Sequence, residues 1–276
     1  MTTSLRKNNL FLRHVALPSD HGSWVFLLSP LLIGLFAGNS WSAAAVFLTI
    51  ASLAGFLLRQ PVTVAVKVYS GRRGRRDLNA AWFWIGVYGL IGALGMFGLI
   101  WQGFAYLFVL ALPGIPVFVW HLYLVSNRAE RRQMGVEVVG SGVLALAAPA
   151  GYWIGVGAIE PIGWLLFALA WLQSAASIVY AYMRLEQREL VTAPDIRTRL
   201  KIGRRALLYT TFNLVFVVLL SIFDVVSLLL FMPYALQWGE AIWGTLRPAV
   251  GKRPTQIGLR QLIISSLFTI LFILTW

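Results

Sequence analysis

Apolar runs long enough to cross a lipid bilayer recur from one end of this 276-residue chain to the other. A hydrocarbon core about 30 Å thick asks for roughly 17 to 25 mostly apolar residues per helix, and only helices or closed barrels satisfy their backbone polar groups inside it. Reading the runs and their breaks predicts helices near 23–39, 42–58, 82–100, 104–124, 135–156, 161–182, 206–222, 224–240 and 261–276. The stretch 206–240 is too long for one span at ~1.5 Å per residue. It divides at Ser221-Ile222-Phe223-Asp224, where a charge interrupts the apolar run. The expected fold is an all-α integral membrane bundle of about nine transmembrane helices. Residues 1–22 form a cytoplasmic N-terminal segment and residues 23–276 a single transmembrane helical domain.

The cations supply an independent test, because lysine and arginine near helix ends stay on the cytoplasmic side. The 23 basic residues fall three before the first helix, six between helices 2 and 3, three between 4 and 5, seven between 6 and 7, and four between 8 and 9. The alternate connections carry none. One-sided placement implies N-in/C-out topology in a bacterial inner membrane. It also accounts for the net charge of +13 without nucleic acid, since anionic leaflet lipids attract such loops at ~1 kcal/mol per basic residue. The run Arg72-Arg73-Gly74-Arg75-Arg76 reads as a solvated topology determinant on the same ground.

With 59% hydrophobic and 12% charged residues, nothing is left over for a soluble domain. The first apolar run lacks a small-residue cleavage site after it, so a retained helix is expected rather than a removed signal peptide. The absence of cysteine excludes disulfides, thiolate metal sites and a cysteine nucleophile. A helix pair, a long basic loop and a second pair occur twice, which predicts parallel halves 23–125 and 135–240 followed by the helix 261–276.

Polar groups inside the spans concentrate toward the predicted cytoplasmic ends. They are His21, Gln60, His121, Asn127, Glu137, Gln237 and Glu240, together with Gln173, Ser177, Tyr180 and Arg184, whose spacings of four, three and four put them on one helical face. Each can equally satisfy a helix end or bond to a neighbouring helix; together they outline a cytoplasm-facing pocket. Arg59, Thr63 and Lys67 align if the helix continues past Pro61, which would let the two cations grip an anion or snorkel to headgroups. Glu130, Gln133 and Glu137 share a face at i, i+3 and i+7. With His21 or His121 these carboxylates would supply an acid/base pair or a weak metal site, the histidines and carboxylates having to converge in space for either.

The segment Pro18-Ser19-Asp20-His21-Gly22-Ser23-Trp24 places a capping aspartate ahead of an interfacial tryptophan. It resembles the P-x-E-H-G-A-W signature of the YwiC-like family of bacterial membrane proteins, with Asp20 where that pattern has glutamate and Ser23 where it has alanine. Arg59-Gln60-Pro61 resembles the family's R-Q-P element. Arg128-x-Glu130 with Gly135-x-Glu137 resembles its R-x-E…G-E region, with one residue inserted. The family's layout looks in turn like the UbiA-type intramembrane prenyltransferases, whose nine helices surround a cytoplasm-facing cavity with substrate loops after helices 2 and 6. The aspartate-rich motifs that hold magnesium in those enzymes are absent here: Asp77 stands alone in the first loop, and Glu186, Glu189 and Asp195 lack the paired spacing in the second.

The resemblance implies an isoprenoid or quinone-like ligand with an anionic head. Arg59, Lys67 and Arg184 would hold the head, with Asp20, Trp24, Gln60, His121, Asn127, Gln173, Ser177 and Tyr180 lining the site. His21, Glu130 and Glu137 would orient the head or move protons in a group transfer. No residue is assigned as a metal ligand, and the cofactor stays open. Transport of a small organic anion is the competing class, favoured by breaks at Pro113-Gly114-Ile115-Pro116 and Pro149. A non-catalytic membrane assembly factor is the third.

Overall fold

A computed structural model describes residues 10–18, 21–39, 41–129 and 133–276, the side chains of His21 and Gly22 excepted. The described residues contain helices and turns and no strand. The helices are α1 (Arg13–Ala16), α2 (Val25–Ala37), α3 (Ala43–Tyr69), α4 (Leu78–Trp101), α5 (Gly114–Ser126), α6 (Met134–Ala145), α7 (Ala147–Val156), α8 (Pro161–Arg188), α9 (Ile196–Ile222), α10 (Phe231–Leu246) and α11 (Pro254–Thr275). Seven helical stretches, with α6 and α7 counted as one, are long and apolar enough to cross a membrane. The chain is a multi-pass membrane protein. The other two segments, α2 and α10, are shorter at 13 and 16 residues. Each is lengthened by a preceding 3-10 turn, His21–Trp24 and Leu228–Leu230.

The helices fall on the expected segments, but several run well past the expected ends. α3 continues through Pro61 to Tyr69, α8 continues to Arg188, and α9 begins at Ile196 instead of 206. Helices of 27 and 28 residues are about 40 Å long at ~1.5 Å per residue, so their ends project beyond the hydrocarbon with their charges. Apolar runs mark only the buried middle. The two long basic loops expected at 59–81 and 183–205 are therefore mostly helix, and short connections at 70–77 and 189–195 remain. α10 is displaced from the expected 224–240 because the turn after α9 is longer. Asp224 there adopts φ +54°, and the Ser227 hydroxyl accepts from the Leu229 N–H to start the next turn.

The breaks at prolines are present. Residues 105–111 form a 3-10 helix that gives way to α5 at Gly114. α6 is separated from α7 by a turn at Leu146, three residues before Pro149, which lacks the N–H that a continuous helix would bond to Ala145.

The helices form two compact units, one of α1 and α3 to α5, the other of α2 and α6 to α11. In the first, α3 and α4 pack along their length. Gly98 lets α4 approach so closely that a Cβ there would lie 2.4 Å from the Phe47 ring. α1 is held on this pair by burial of Val15 against Val64, Ala65, Ala80 and Ala81. Two side chains also donate to its backbone, Gln60 to His14 at 2.9 Å and Tyr88 to Ala16 at 3.0 Å, and Trp84 donates to the Leu10 carbonyl ahead of it at 3.1 Å. The arginine run is only partly solvated. Arg73 Nε donates to the buried Asp77 carboxylate at 2.6 Å, and the Arg72 guanidinium donates to the Val125 carbonyl at the end of α5.

In the second unit α8 is the hub, packing against α2, α6, α7, α9, α10 and α11. Polar side chains tie neighbours to its backbone, as expected where lipid offers no alternative partner. Asn213 donates to Leu172 at 2.8 Å and Tyr234 to Leu169 at 3.1 Å. α2 and α7 meet backbone to backbone. Gly34 and Gly38 face Ala148, Gly151 and Tyr152, and a Cβ on Gly155 would stand 2.0 Å from the Gly38 carbonyl oxygen. Both helices carry glycines four residues apart at this contact, the spacing that lets membrane helices approach closely.

Candidate functional site

Glu240 is the only charged residue of α10 and Arg260 the only charged residue of α11. Lone charges in spans are costly and face a partner or a cavity; these two face each other. Arg260 Nε donates to Glu240 Oε1 at 2.6 Å and Nη2 donates to Oε2 at 2.7 Å. The Tyr180 hydroxyl of α8 donates to the same Oε1 at 2.5 Å. The carboxylate is buried at 7% side-chain exposure while the guanidinium is 42% exposed, so the pair stands at the margin of the packed interior.

The Arg260 guanidinium lies 3.5 Å from the centroid of the Trp243 ring, one turn further along α10. Arg184 and Lys252 stand 5.3 and 5.9 Å from the same ring. Among the described residues, three cations therefore stand around one indole, and Glu240 is the carboxylate paired with one of them. Glycine makes room for the contact: a Cβ on Gly244 would meet the Tyr180 ring at 2.6 Å.

Behind the ion pair is a small cavity of ≈ 20 Å³ lined by Gln173, Ser177 and Tyr180 of α8, Gln237 and Glu240 of α10, and Gln261, Ile264, Ser265 and Phe268 of α11. Gln237 Nε2 donates to the Gln173 carbonyl at 2.9 Å. Gln261 Nε2 donates to the Ser177 carbonyl at 2.5 Å and to its hydroxyl at 2.9 Å. The four-and-three spacing on α8 thus brings Gln173, Ser177 and Tyr180 together as expected from one helical face.

Arg184, on that same face, is 2% exposed. Its Nη1 lies 2.7 Å from the carbonyls of Gly244 and Arg247 and 2.9 Å from Gln187 Oε1. It holds the end of α10, whose last carbonyls have no helical partner of their own. Glu137 opens α6 and accepts from the Tyr182 hydroxyl at 2.8 Å. Tyr182 is two residues, about 200° of helical turn, from Tyr180, so Glu137 borders a different flank of α8. Gln133 precedes α6 and does not share a helical face with Glu137. Trp24 is half-buried at the entry to α2.

Other expected residues belong to the first unit. Arg59 lies over the Phe56 ring at 5.8 Å, and Thr63 donates to its carbonyl at 2.7 Å, on a helix that does continue to Lys67. Gln60 bonds α1, His121 lies in α5, and the Asn127 side chain donates to the Tyr123 carbonyl to close that helix. Asp20, Glu130 and the His21 side chain lie outside the described residues. Among the described residues no three of His, Cys, Asp and Glu gather as a metal site would require.

The family model of the YwiC-like proteins matches residues 17–152. Over this segment, just under half of the chain, the sequence is similar to the YwiC-like family. It is 25% identical over 175 residues to the protein called "Uncharacterized protein YwiC" of Bacillus subtilis (strain 168), a match covering 63% of this chain and 68% of the relative. No solved structure matches. The YwiC-like match begins just after α1, includes α2 to α6 and most of α7, and ends before α8. The Glu240–Arg260 site is therefore read from this chain's own residues.

The sequence reading omits Arg260, Lys252 and Trp243, and also the α11 wall of the cavity at Gln261, Ile264, Ser265 and Phe268. Arg260 carries the signal that finds it: a lone cation six residues inside an apolar helix, opposite in sign to the lone charge of the preceding span.

Proposed function

We propose that this YwiC-like protein is an N-in/C-out protein of the bacterial inner membrane that binds an amphiphile with an anionic head at the cytoplasmic ends of α8, α10 and α11. The observation that carries the reading is the set of three cations around Trp243, with Glu240 as the carboxylate paired to one of them, among the described residues. That excess of positive charge sits where headgroups meet the helix ends. Arg260 is fixed in orientation by Glu240 on one edge and by the indole on one face, and an oriented guanidinium recognises phosphate or carboxylate better than a mobile one. Lys252 and the exposed part of Arg260 receive the head. Arg184 is buried and engaged with carbonyls, so it supports the local field rather than touching the ligand. Isoprenoid and phospholipid phosphates offer the same head.

Native mass spectrometry of protein extracted from its own membrane tests this. A bound anionic isoprenoid or phospholipid, reduced in Arg260→Ala, is the expected result; a bare mass contradicts it, and the mass of the adduct tells the two lipids apart. A second reading, movement of a small organic anion, draws on the helix interruptions at residues 112–113 and at Leu146. Uptake into proteoliposomes by a protein of bare mass would favour that reading.

A further inference from the structure

The cavity behind the ion pair carries an inference independent of the lipid reading. Gln237 is 7% exposed, and its Nε2 donates to the Gln173 carbonyl. That bond settles which way the amide points, because only its NH₂ end can serve a carbonyl. Gln237 Oε1 is consequently a buried acceptor on the cavity wall with no hydrogen-bond partner among the described residues.

The neighbouring donors are engaged: the Tyr180 hydroxyl with Glu240, and Gln261 Nε2 with Ser177. A partner for Gln237 Oε1 must therefore bring its own hydrogen. The cavity of ≈ 20 Å³ limits that partner to about one water in size. Charge argues for a neutral occupant, since the one carboxylate on the wall is already paired with Arg260, and Arg184 stands beyond it.

We propose that this cavity is a binding site for a single water molecule that donates to Gln237 Oε1 and bonds the Ser177 and Ser265 hydroxyls, which lie 3.4 Å apart. The water completes a polar seam. On α11, Gln261, Ser265 and Thr269 recur every four residues on one face, and Thr269 donates to the Ser29 hydroxyl of α2 at 2.6 Å. With the water in place, polar groups follow one another from the Glu240–Arg260 pair through the cavity wall to Thr269 and Ser29. Water supplies the two to four hydrogen bonds such a polar cavity demands.

The test is a structure of the full chain in lipid nanodiscs at a resolution that shows ordered water. The expected result is a density peak roughly 2.7–3.2 Å from Gln237 Oε1 that disappears in Gln237→Leu. An empty cavity in the wild-type protein overturns the proposal. So does an anomalous signal at that position after rubidium or thallium exchange, which marks a cation. The wild-type map decides the question even if Gln237→Leu fails to fold.

Discussion

Glu240 and Arg260 meet edge to edge across α10 and α11 through two parallel hydrogen bonds of 2.6 and 2.7 Å. Removing one partner of such a pair leaves the other uncompensated, whereas replacing both with apolar groups does not. Arg260→Met should lower stability by about 2 kcal/mol, a figure reduced from that of a fully buried pair because the guanidinium is 42% exposed. The double variant Glu240→Met/Arg260→Met should recover most of the loss. Thermal unfolding in detergent measures both.

Arg184 predicts a different outcome. Its substitution takes the guanidinium from the Arg247 carbonyl, while the Gly244 carbonyl keeps the Gln187 Nε2 donor and Gln187 Oε1 keeps the Ala249 N–H, so Arg184→Met should cost about 1 to 3 kcal/mol of stability. Ligand affinity measured on the folded fraction should change little. If Arg184→Met instead folds normally and loses only ligand, the assignment to the end of α10 is wrong.

The contact of α2 with α7 tolerates no side chain at its glycines. A Cβ on Gly151 would fall 2.7 Å from the Leu35 nitrogen, while one on Gly140 would meet nothing within 4 Å. Gly151→Leu should therefore abolish recovery of folded protein, since the clash is with backbone and ordinary overpacking already costs about 1 to 3 kcal/mol. Gly140→Ala should leave yield and melting unchanged. Size-exclusion profiles of the detergent-solubilised variants distinguish them.

Asp195 caps α9. The Thr198 side chain donates to its carboxylate, and the backbone N–H groups of Arg197 and Thr198 add to this, holding its pKa below the ordinary aspartate range. A depressed carboxylate pKa stabilises the folded state above the unfolded value, and the contribution is lost as pH falls through the folded value. The wild-type protein should lose this increment on acidification below the ordinary aspartate range. Asp195→Ala should lack it at neutral pH and show a flatter acid limb in melting against pH.

Topology is open to direct labelling because the chain has no cysteine. Val191, 94% exposed between α8 and α9, and Ala158, exposed between α7 and α8, lie at opposite ends of α8. With the N-terminus inside, a thiol in Val191→Cys should react only after the membrane is permeabilised, and one in Ala158→Cys should react in intact cells. The reverse pattern would invert the orientation.

What the sequence disclosed follows from what lipid enforces. Apolar windows located the spans, and the spacing of Gln173, Ser177 and Tyr180 located one wall of the cavity, because a helix fixes which residues share a face. Helix ends were hidden, since α8 and α9 carry their charges on helical extensions that look like loops when only apolarity is read. Arg260 was concealed among cations whose first duty is topology. The glycine pairs on α2 and α7 were visible as four-residue spacings, but which helices they join depends on contacts distant in sequence. Arg72 and Arg73 show the same limit: their partners, a carbonyl on α5 and the buried Asp77, are set by packing rather than by local pattern.

The central claim is that an anionic head is held by Arg260 and Lys252 beside Trp243. The most direct measurement is calorimetric titration of the detergent-solubilised protein with short-chain phosphatidic acid, using phosphatidylcholine of the same chain length as the comparison. Binding of the anionic lipid that weakens with added salt and falls at least about fivefold in Arg260→Ala, as loss of an interaction of about 1 kcal/mol or more requires, is the predicted result. Equal affinity for the two lipids, or an unchanged affinity in a folded Arg260→Ala protein, would contradict it.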